Sequence, residues 1–523
     1  MRRCRFLCKS LVAREWPSLC FAPCLAFAGA HSALRPTTVS RMIQYPIVRR
    51  VIGAMLIVFA VTLLPPLVVS LIYADGKWPT FFFQFLITLL VGYLFLRNPG
   101  YQREPKTRDG IVIVVLIWTL YGLVGAMPLY WTLDISFTDA VFECVSGLTT
   151  TGSTVLAGLD TMAKSVLWYR QQLHFLGGMG VIILGVAILP MFNVGGMQLY
   201  KAEATGPMKD DKLAPRIAHT ARLLFSVYVA LTIACAAAFW LAGMNGFDAI
   251  THSFASVGTG GFGNYDANIA YFNSLAIECI AMAGMLAGAV NFGLHFVVWR
   301  SKSTALYLQD QEFRTFFGVI IVSIILVTAT LYLENEYDSL GVALRYASFH
   351  VISSITDTGF ATTDMSVWPS FTGHYVFLLA FIGGCAGSTG GGMKVVRFFL
   401  LFKQVSREAK RMVQPNIVAH VKFNGRIVPD SVAAGVWAFF ALFVSTSLVF
   451  LFVLMACGLD FPTAYAVVAA SINNQGIGTN NPGVSFASMS DTATWVITLC
   501  MLVGRLEIFT FFVLFTPIFW RRF

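Results

Sequence analysis

Four short stretches of this 523-residue chain are rich in oxygen donors and almost free of charge: LTTTGST (148–154), SVGTGGFG (256–263), SITDTGFAT (354–362) and INNQGIGT (472–479). Each follows a semi-polar segment long enough for a half-membrane helix and is centred on a glycine, Gly152, Gly261, Gly359 or Gly476. Glycine admits the backbone dihedrals that aim successive carbonyls at one axis, and the threonine hydroxyls add further oxygen ligands. Four such strands around one axis would replace the water shell of an alkali cation with fixed oxygens. A half-helix whose C-terminus points at the same spot adds negative potential. One such stretch alone reads as a plain Gly turn between helices; four in the same relative place point to a shared task.

The elements that must position them are membrane helices. The chain is 57% hydrophobic and 12% charged, about half the charge of a soluble domain. Charge-poor runs of roughly 20 residues recur from Val51 onward, as spanning helices require, and no period-two barrel pattern is seen. Non-helical backbone at membrane depth survives only inside protein or against a water-filled cavity. Two apolar runs come first, then a pattern of long run, short segment, Gly motif and second long run occurs four times. The fold class is therefore an all-α polytopic membrane protein: two N-terminal helices plus four helix–pore-loop–helix repeats around a pseudo-fourfold pore, with ten spanning helices in all. The division is 42–110 for the N-terminal pair, then 111–198, 199–298, 299–402 and 403–523 for the repeats.

The topology follows from charge. With the N-terminus inside, loops 97–110, 199–222, 299–314 and 394–426 are cytoplasmic and carry four, five, three and eight Lys/Arg, as the positive-inside rule demands. Lys164 and Arg170 count among the few outer basic residues. The net charge of +10 thus reflects cytoplasmic loops, not nucleic-acid binding. Both termini are cytoplasmic, and all four Gly motifs face outside. The outer loops are acidic, from Asp134, Asp139 and Asp248 to Asp460 and Asp491, and read as a mouth that concentrates cations or as ordinary solvated charge. Residues 1–41 form an N-terminal extension, read as a start codon placed too early, with Met42 the start, or as a disordered or targeting segment.

Three further stretches complete a pattern: YRQQLHFLGGMGVIILGVAILP (169–190), FIGGCAGSTGGGMKVVR (381–397) and GRLEIFTFFVLFTP (504–517). With the four Gly motifs they make the chain from about Met42 to Phe523 resemble the Trk/Ktr/HKT superfamily of potassium transporters, closest to the membrane subunit of the bacterial Trk system. The resemblance implies potassium uptake across the bacterial cytoplasmic (inner) membrane, with the potassium ion as transported substrate, and a homodimer. It implies a selectivity filter at Thr150, Thr151 and Gly152; Thr259, Gly260 and Gly261; Asp357, Thr358 and Gly359; and Asn474, Gln475 and Gly476. Glycine at all four key positions resembles the potassium-selective members. Asp357 is a charged departure. The extra Gly258 leaves a second register open.

GGCAGSTGGGMK (383–394) holds six glycines in twelve residues, too many for a stable helix at about 1 kcal/mol each against alanine. It reads as a packing kink; the resemblance implies an intramembrane gating loop, Gly387, Ser388, Thr389, Gly390, Gly391 and Gly392. Arg505 is costly at its depth and must face a cavity or partner: Glu507, a Gly-loop carbonyl, or, by resemblance, the gate. Lys394 reads as positive-inside charge. Glu278 and His295 divide between interior packing and a pore role. The basic stretch 403–426 suits anionic membrane lipid; the resemblance implies docking of a cytosolic NAD- or nucleotide-binding regulatory subunit. No nucleotide fingerprint occurs in this chain, so nucleotide control requires that partner. The alternative is a sodium-permeable or proton-coupled cation symporter of the same fold. No catalytic motif appears, and the eight histidines are scattered, so the chain is read as a transporter rather than an enzyme.

Overall fold

The computed structural model describes residues 43, 45–97, 107–187, 213–476 and 486–521. The expectations for the extension at 1–41 and for much of the loop at 199–222 lie outside the described residues. Among the described residues, apolar sequence with few breakers gives mostly helix, with one two-residue hairpin, β1 (Lys422–Phe423) with β2 (Arg426–Ile427). The N-terminal unit is α1 (Tyr45–Val61), α2 (Leu64–Tyr73) and α3 (Trp78–Leu96). Pro65 and Pro66 open α2, where missing N–H groups cost nothing, and α1 and α2 together pass as one 29-residue span.

The same succession then recurs. α4 (Thr107–Thr132), α5 (Phe137–Leu148) and α6 (Lys164–Ala187) come first. α7 (Leu213–Leu241), α8 (Gly246–Val257), α9 (Leu275–Ala289) and α10 (Phe292–Ser301) follow. After the short α11 (Ala305–Gln309) come α12 (Gln311–Leu333), α13 (Leu340–Ile355), α14 (Ser370–Ile382) and α15 (Val395–Val413). The last group is α16 (Asp430–Ala456), α17 (Phe461–Ile472), α18 (Asp491–Arg505), α19 (Phe509–Val513) and α20 (Pro517–Trp520).

Among the described residues, six helices are long and apolar enough to cross a membrane, or seven if α9 and α10 count as one span. The sequence reading expected ten spanning helices. The difference falls on the second helix of each succession. α6 is 24 residues long but carries Arg170, Gln171, Gln172 and His174. α9 and α10 meet at a 99° bend. α14 stops at Ile382, and the chain becomes helical again only at Val395. α18 ends at Arg505, where Glu507 and Ile508 take positive φ values of 53° and 31°. The long first helices show their apolar side chains outward, as Leu90 and Leu94 do on α3 and Ile325 on α12. Helices shielded from lipid tolerate polar groups and breaks; helices facing lipid do not.

The four short helices α5, α8, α13 and α17 hold the interior. Three have 12 residues and one has 16, about 18–24 Å of rise and less than a full crossing. Side-chain caps fix two starts: Ser136 Oγ accepts from Asp139 N at 3.1 Å, and Asn245 Oδ1 accepts from Asp248 N at 2.8 Å. Asp248, expected among the outer charges, is fully buried and accepts from Asn264 and Tyr265. Each short helix packs on the second helix of its own group and on that of the group before: α8 on α6, α13 on α9, α17 on α14, and α5 back on α18. That last contact closes the cycle.

Two polar residues left open by the sequence belong to this packing. Glu278 on α9 accepts two hydrogen bonds from Arg345 on α13, at 2.6 and 2.7 Å. His295 bridges Tyr307 Oη at 2.6 Å and the Ala287 carbonyl at 2.9 Å, across the bend. Removing one partner of a buried pair leaves the other charge unpaired, which costs more than removing both. Arg345→Ala should therefore lower the melting temperature of the detergent-solubilised protein, and Arg345→Ala with Glu278→Gln should recover part of the loss. Equal or greater loss in the double variant would show that the pair does not brace α9 against α13.

Candidate functional site

Each short helix ends in the same backbone device. Thr151 N donates to Ser146 O, Gly260 N to Ala255 O, Thr358 N to Ser353 O and Gln475 N to Ala470 O, all within 2.8–2.9 Å and five residues apart. The residue before each donor bonds three residues back, at 3.0–3.3 Å. This paired closure is the Schellman motif, which wants a left-handed residue at its turn. Glycine usually supplies it. Here the residues are Thr150, Thr259, Asp357 and Asn474, with φ between 51° and 56°. Asp and Asn tolerate that region, but for a β-branched threonine it is a strained outlier. Strain repeated at one position of four segments marks a functional constraint. In the second segment the left-handed residue is Thr259, so Gly258 belongs to the helix cap.

Two residues further on, Gly152, Gly261, Gly359 and Gly476 take φ of 85°, 81°, 89° and 73°. Gly152, Gly261 and Gly476 also have no room for a side chain. A methyl group on Gly152 would collide with the Gly260 carbonyl oxygen, one on Gly261 with the Thr358 carbonyl and one on Gly476 with the Thr151 carbonyl. The segments therefore touch in the order fourth, first, second, third. All twelve residues expected at the filter are brought together; nine are buried, and the glycines Gly152, Gly359 and Gly476 are half-buried. Side chains tie neighbours together: Asn474 Nδ2 donates to Thr151 Oγ1 at 3.0 Å, and Gln475 Nε2 to Ser354 Oγ at 2.7 Å.

A second layer fixes the segments from behind. Ser146 Oγ and Ser353 Oγ donate to the carbonyls of Ser153 and Phe360, at 2.6 and 2.7 Å. In the second segment, where alanine replaces that serine, Gln171 Nε2 does the same for Phe262 O at 2.7 Å, and Asn268 Nδ2 holds Gly261 O at 3.1 Å. Arg170, expected in an outer loop, is 1% exposed. Its Nε meets Glu143 Oε1 at 2.7 Å, its Nη1 reaches Gly263 O at 3.3 Å, and its guanidinium lies 4.2 Å from the Phe262 ring centre. Glu143 in turn accepts from Thr154 Oγ1 and Val155 N. This brace between the first two segments was missed by sequence reasoning. The i,i+4 placement of Arg170 and His174 on an otherwise apolar helix was its only signal.

The glycine-rich run 383–394 is an irregular loop lying against the ends of the short helices. Thr389 Oγ1 donates to Val257 O and Gly288 O at 3.1 and 3.0 Å, and Cys385 N to Ala289 O at 2.8 Å. Side chains are excluded here too: a methyl on Gly391 would strike Asn473 O, and one on Gly390 would come within 2.8 Å of Thr356 O. Gly387 and Gly392 need positive φ, 72° and 66°. Arg505 reaches the loop from α18, donating through Nη1 to Thr389 O at 2.9 Å and through Nη2 to Gly177 O at 3.3 Å. Of the partners expected for Arg505, it takes the loop carbonyl. Glu507 pairs instead with Arg397, at 2.7 Å. Lys394 is not a solvated cytoplasmic charge: it is 8% exposed, and its ammonium donates to Gly390 O and to Ser388 Oγ. Past the loop, α15 carries Lys403, Arg407, Lys410 and Arg411, and Arg407 meets Asp430 at 2.6 Å.

The arrangement is thus a closed ring of four glycine-bearing segments with a cation-bearing loop packed against its supporting helices. Known proteins resemble this chain. A family model described as TrkH, cation transport protein, matches residues 78–521. The Trk system potassium uptake protein TrkH of Halomonas elongata is 46% identical over 476 residues, covering 90% of this chain and 98% of that protein. TrkH of Escherichia coli is also 46% identical, over 478 residues, and TrkG of the same organism 40% identical over 481. The crystal structure of the potassium transporter TrkH from Vibrio parahaemolyticus superposes with a TM-score of 0.84 at 42% identity, covering 91% of this chain and all of that one. The chain belongs to the TrkH family of cation transport proteins, and it is a multi-pass membrane transporter rather than an enzyme.

Proposed function

We propose that this protein takes up potassium across the bacterial inner membrane through the ring of four segments and that the glycine-rich loop is its gate. The observation that carries the reading is the fourfold recurrence of one backbone, a Schellman end, a left-handed residue and then a positive-φ glycine, which in three of the four segments is pressed on a neighbouring segment's carbonyl. Carbonyls held by neighbours and by the layer behind them cannot collapse onto a smaller ion, so dehydration is compensated only for an ion of fitting size. The C-terminal ends of α5, α8, α13 and α17 add negative potential at the ring. The relatives of this chain carry the name potassium uptake protein.

Beneath the ring, Lys394 and Arg505 put two positive charges on the loop, where they oppose a cation. Opening requires the loop to leave the carbonyls of Val257, Thr356 and Asn473. A cytosolic nucleotide-binding subunit of the Trk system would act on the loop through α15, which continues directly from it with an exposed basic end. The protein works as a homodimer with both termini in the cytoplasm. A sodium-permeable or proton-coupled version of the same pore is the second reading, and the glycine at all four ring positions favours potassium.

The test is potassium-limited growth of a bacterium lacking its own uptake systems, with and without a Trk-type cytosolic subunit. Rescue that depends on the subunit supports partner gating, whereas rescue only by sodium flux overturns potassium selectivity. Two variants test the parts. Gly152→Ser forces a side chain into the Gly260 carbonyl and should lower the potassium-to-sodium uptake ratio about tenfold; an unchanged ratio would remove Gly152 from the filter. Shortening the loop by deleting residues 388–391 should raise rubidium influx measured without the partner, and wild-type influx would make the loop a packing kink.

A further inference from the structure

Asp357 is the one carboxylate within the ring, and conduction leaves its side chain without a task. It is fully buried, and neither carboxyl oxygen has a hydrogen-bond partner. It does not face the neighbouring segments. A methyl group placed on Gly383, Gly392 or Gly390 would come within 3.1, 3.2 or 3.7 Å of its Oδ2. The carboxylate therefore looks into the glycine-rich loop, and those three glycines leave the space it occupies. The cations anchored on this same stretch of loop are Lys394, on the carbonyl of Gly390, and Arg505 from α18, on the carbonyl of Thr389. Glu507, a second carboxylate facing Lys394, is engaged by Arg397.

We propose that Asp357 is the counter-ion of the intramembrane loop, a positioning residue that holds the loop closed and ties its position to the third segment of the ring. The inference rests on the filter-and-gate reading above. Lys394 in the loop and Arg505 reaching it from α18 are both buried, repel each other and are tolerated at this depth only with an anion opposite them. Asp357 supplies that anion from the left-handed turn of α13, two residues before Gly359. A loop that swings away takes Lys394 from the carboxylate, so the turn carrying Thr358 and Gly359 feels the gate directly. The other three segments have neutral residues at this turn, Thr150, Thr259 and Asn474, which makes the third the coupled one.

The experiment is a double-variant cycle on the full chain in liposomes without a cytosolic subunit, read as radioactive rubidium influx and as the potassium-to-sodium ratio. Asp357→Asn and Lys394→Met should each raise basal influx about tenfold, and the second substitution should add little in the background of the first. Asp357→Asn should also shift the ion ratio, which loss of a distant packing contact would not. Independent, multiplying effects overturn the inference. So does wild-type influx in Asp357→Asn when the shortened loop conducts, and in that case the gate reading stands. No rise in any variant, the shortened loop included, overturns both. Should Asp357→Asn not yield folded protein, the same cycle with Asp357→Ser and Lys394→Gln is read by the same criteria.

Discussion

Inside a bilayer an irregular backbone has no water to fall back on, so each N–H and C=O in it needs a protein partner or a cavity. The four ring segments and the loop at 383–394 are all irregular and all at membrane depth, and the rest of the molecule is arranged to satisfy them. Schellman closures absorb the last carbonyls of the short helices. Ser146, Ser353, Gln171 and Asn268 take up carbonyls beyond the glycines. The loop covers Val257, Thr356 and Asn473 from the other side. Exposed apolar side chains such as Leu90 and Leu94 on α3 and Ile325 on α12 sit on continuous helices.

Glycine serves two separate purposes in this scheme. At Gly152, Gly261 and Gly476 it meets a dihedral requirement and a close carbonyl at once. At Gly177, Gly288 and Gly504 the helix is regular, and glycine is needed only because the chain passes against Leu148 O, Val257 O and Ile472 O. These second-helix glycines let each short helix sit deep in the bundle, where its C-terminus reaches the ring. Close approach through small residues is the ordinary means of packing helices in membranes, used here to bring backbone ends rather than helix sides together.

Much of this was legible in the sequence because it is periodic. Apolar runs of membrane length, breaks at fixed places and basic loops on one side gave the order of elements, and the glycines marked the segments that the fold assembles. What could not be read was three-dimensional pairing. Arg170 looked like an outer-loop charge because nothing in the chain near it signals Glu143, 27 residues back. Lys394 looked cytoplasmic because it stands where a loop re-enters a helix. Glu507 looked like the partner of Arg505 because it is close in sequence; the left-handed turn at 507–508 swings it to Arg397 instead. The glycine-rich break after α14 was legible, but the bend between α9 and α10 and the end of α18 at Arg505 were not, because hydropathy records that a segment is buried, not that it is straight.

Charge is distributed to match. The ring itself carries carbonyls and hydroxyls, whose partial charges favour a bare cation without trapping it. Full charges are kept one layer away and are nearly all paired: Glu143 with Arg170 behind the first two segments, Glu278 with Arg345 between α9 and α13, Arg397 with Glu507 below the loop. Lys394 and Arg505 differ in binding backbone carbonyls, which are dipoles and compensate a buried cation only in part, and the Asp357 carboxyl lies against the same loop. On the proposed gating reading, the loop is therefore the element a regulator shifts with modest differential binding, because no helix holds its backbone.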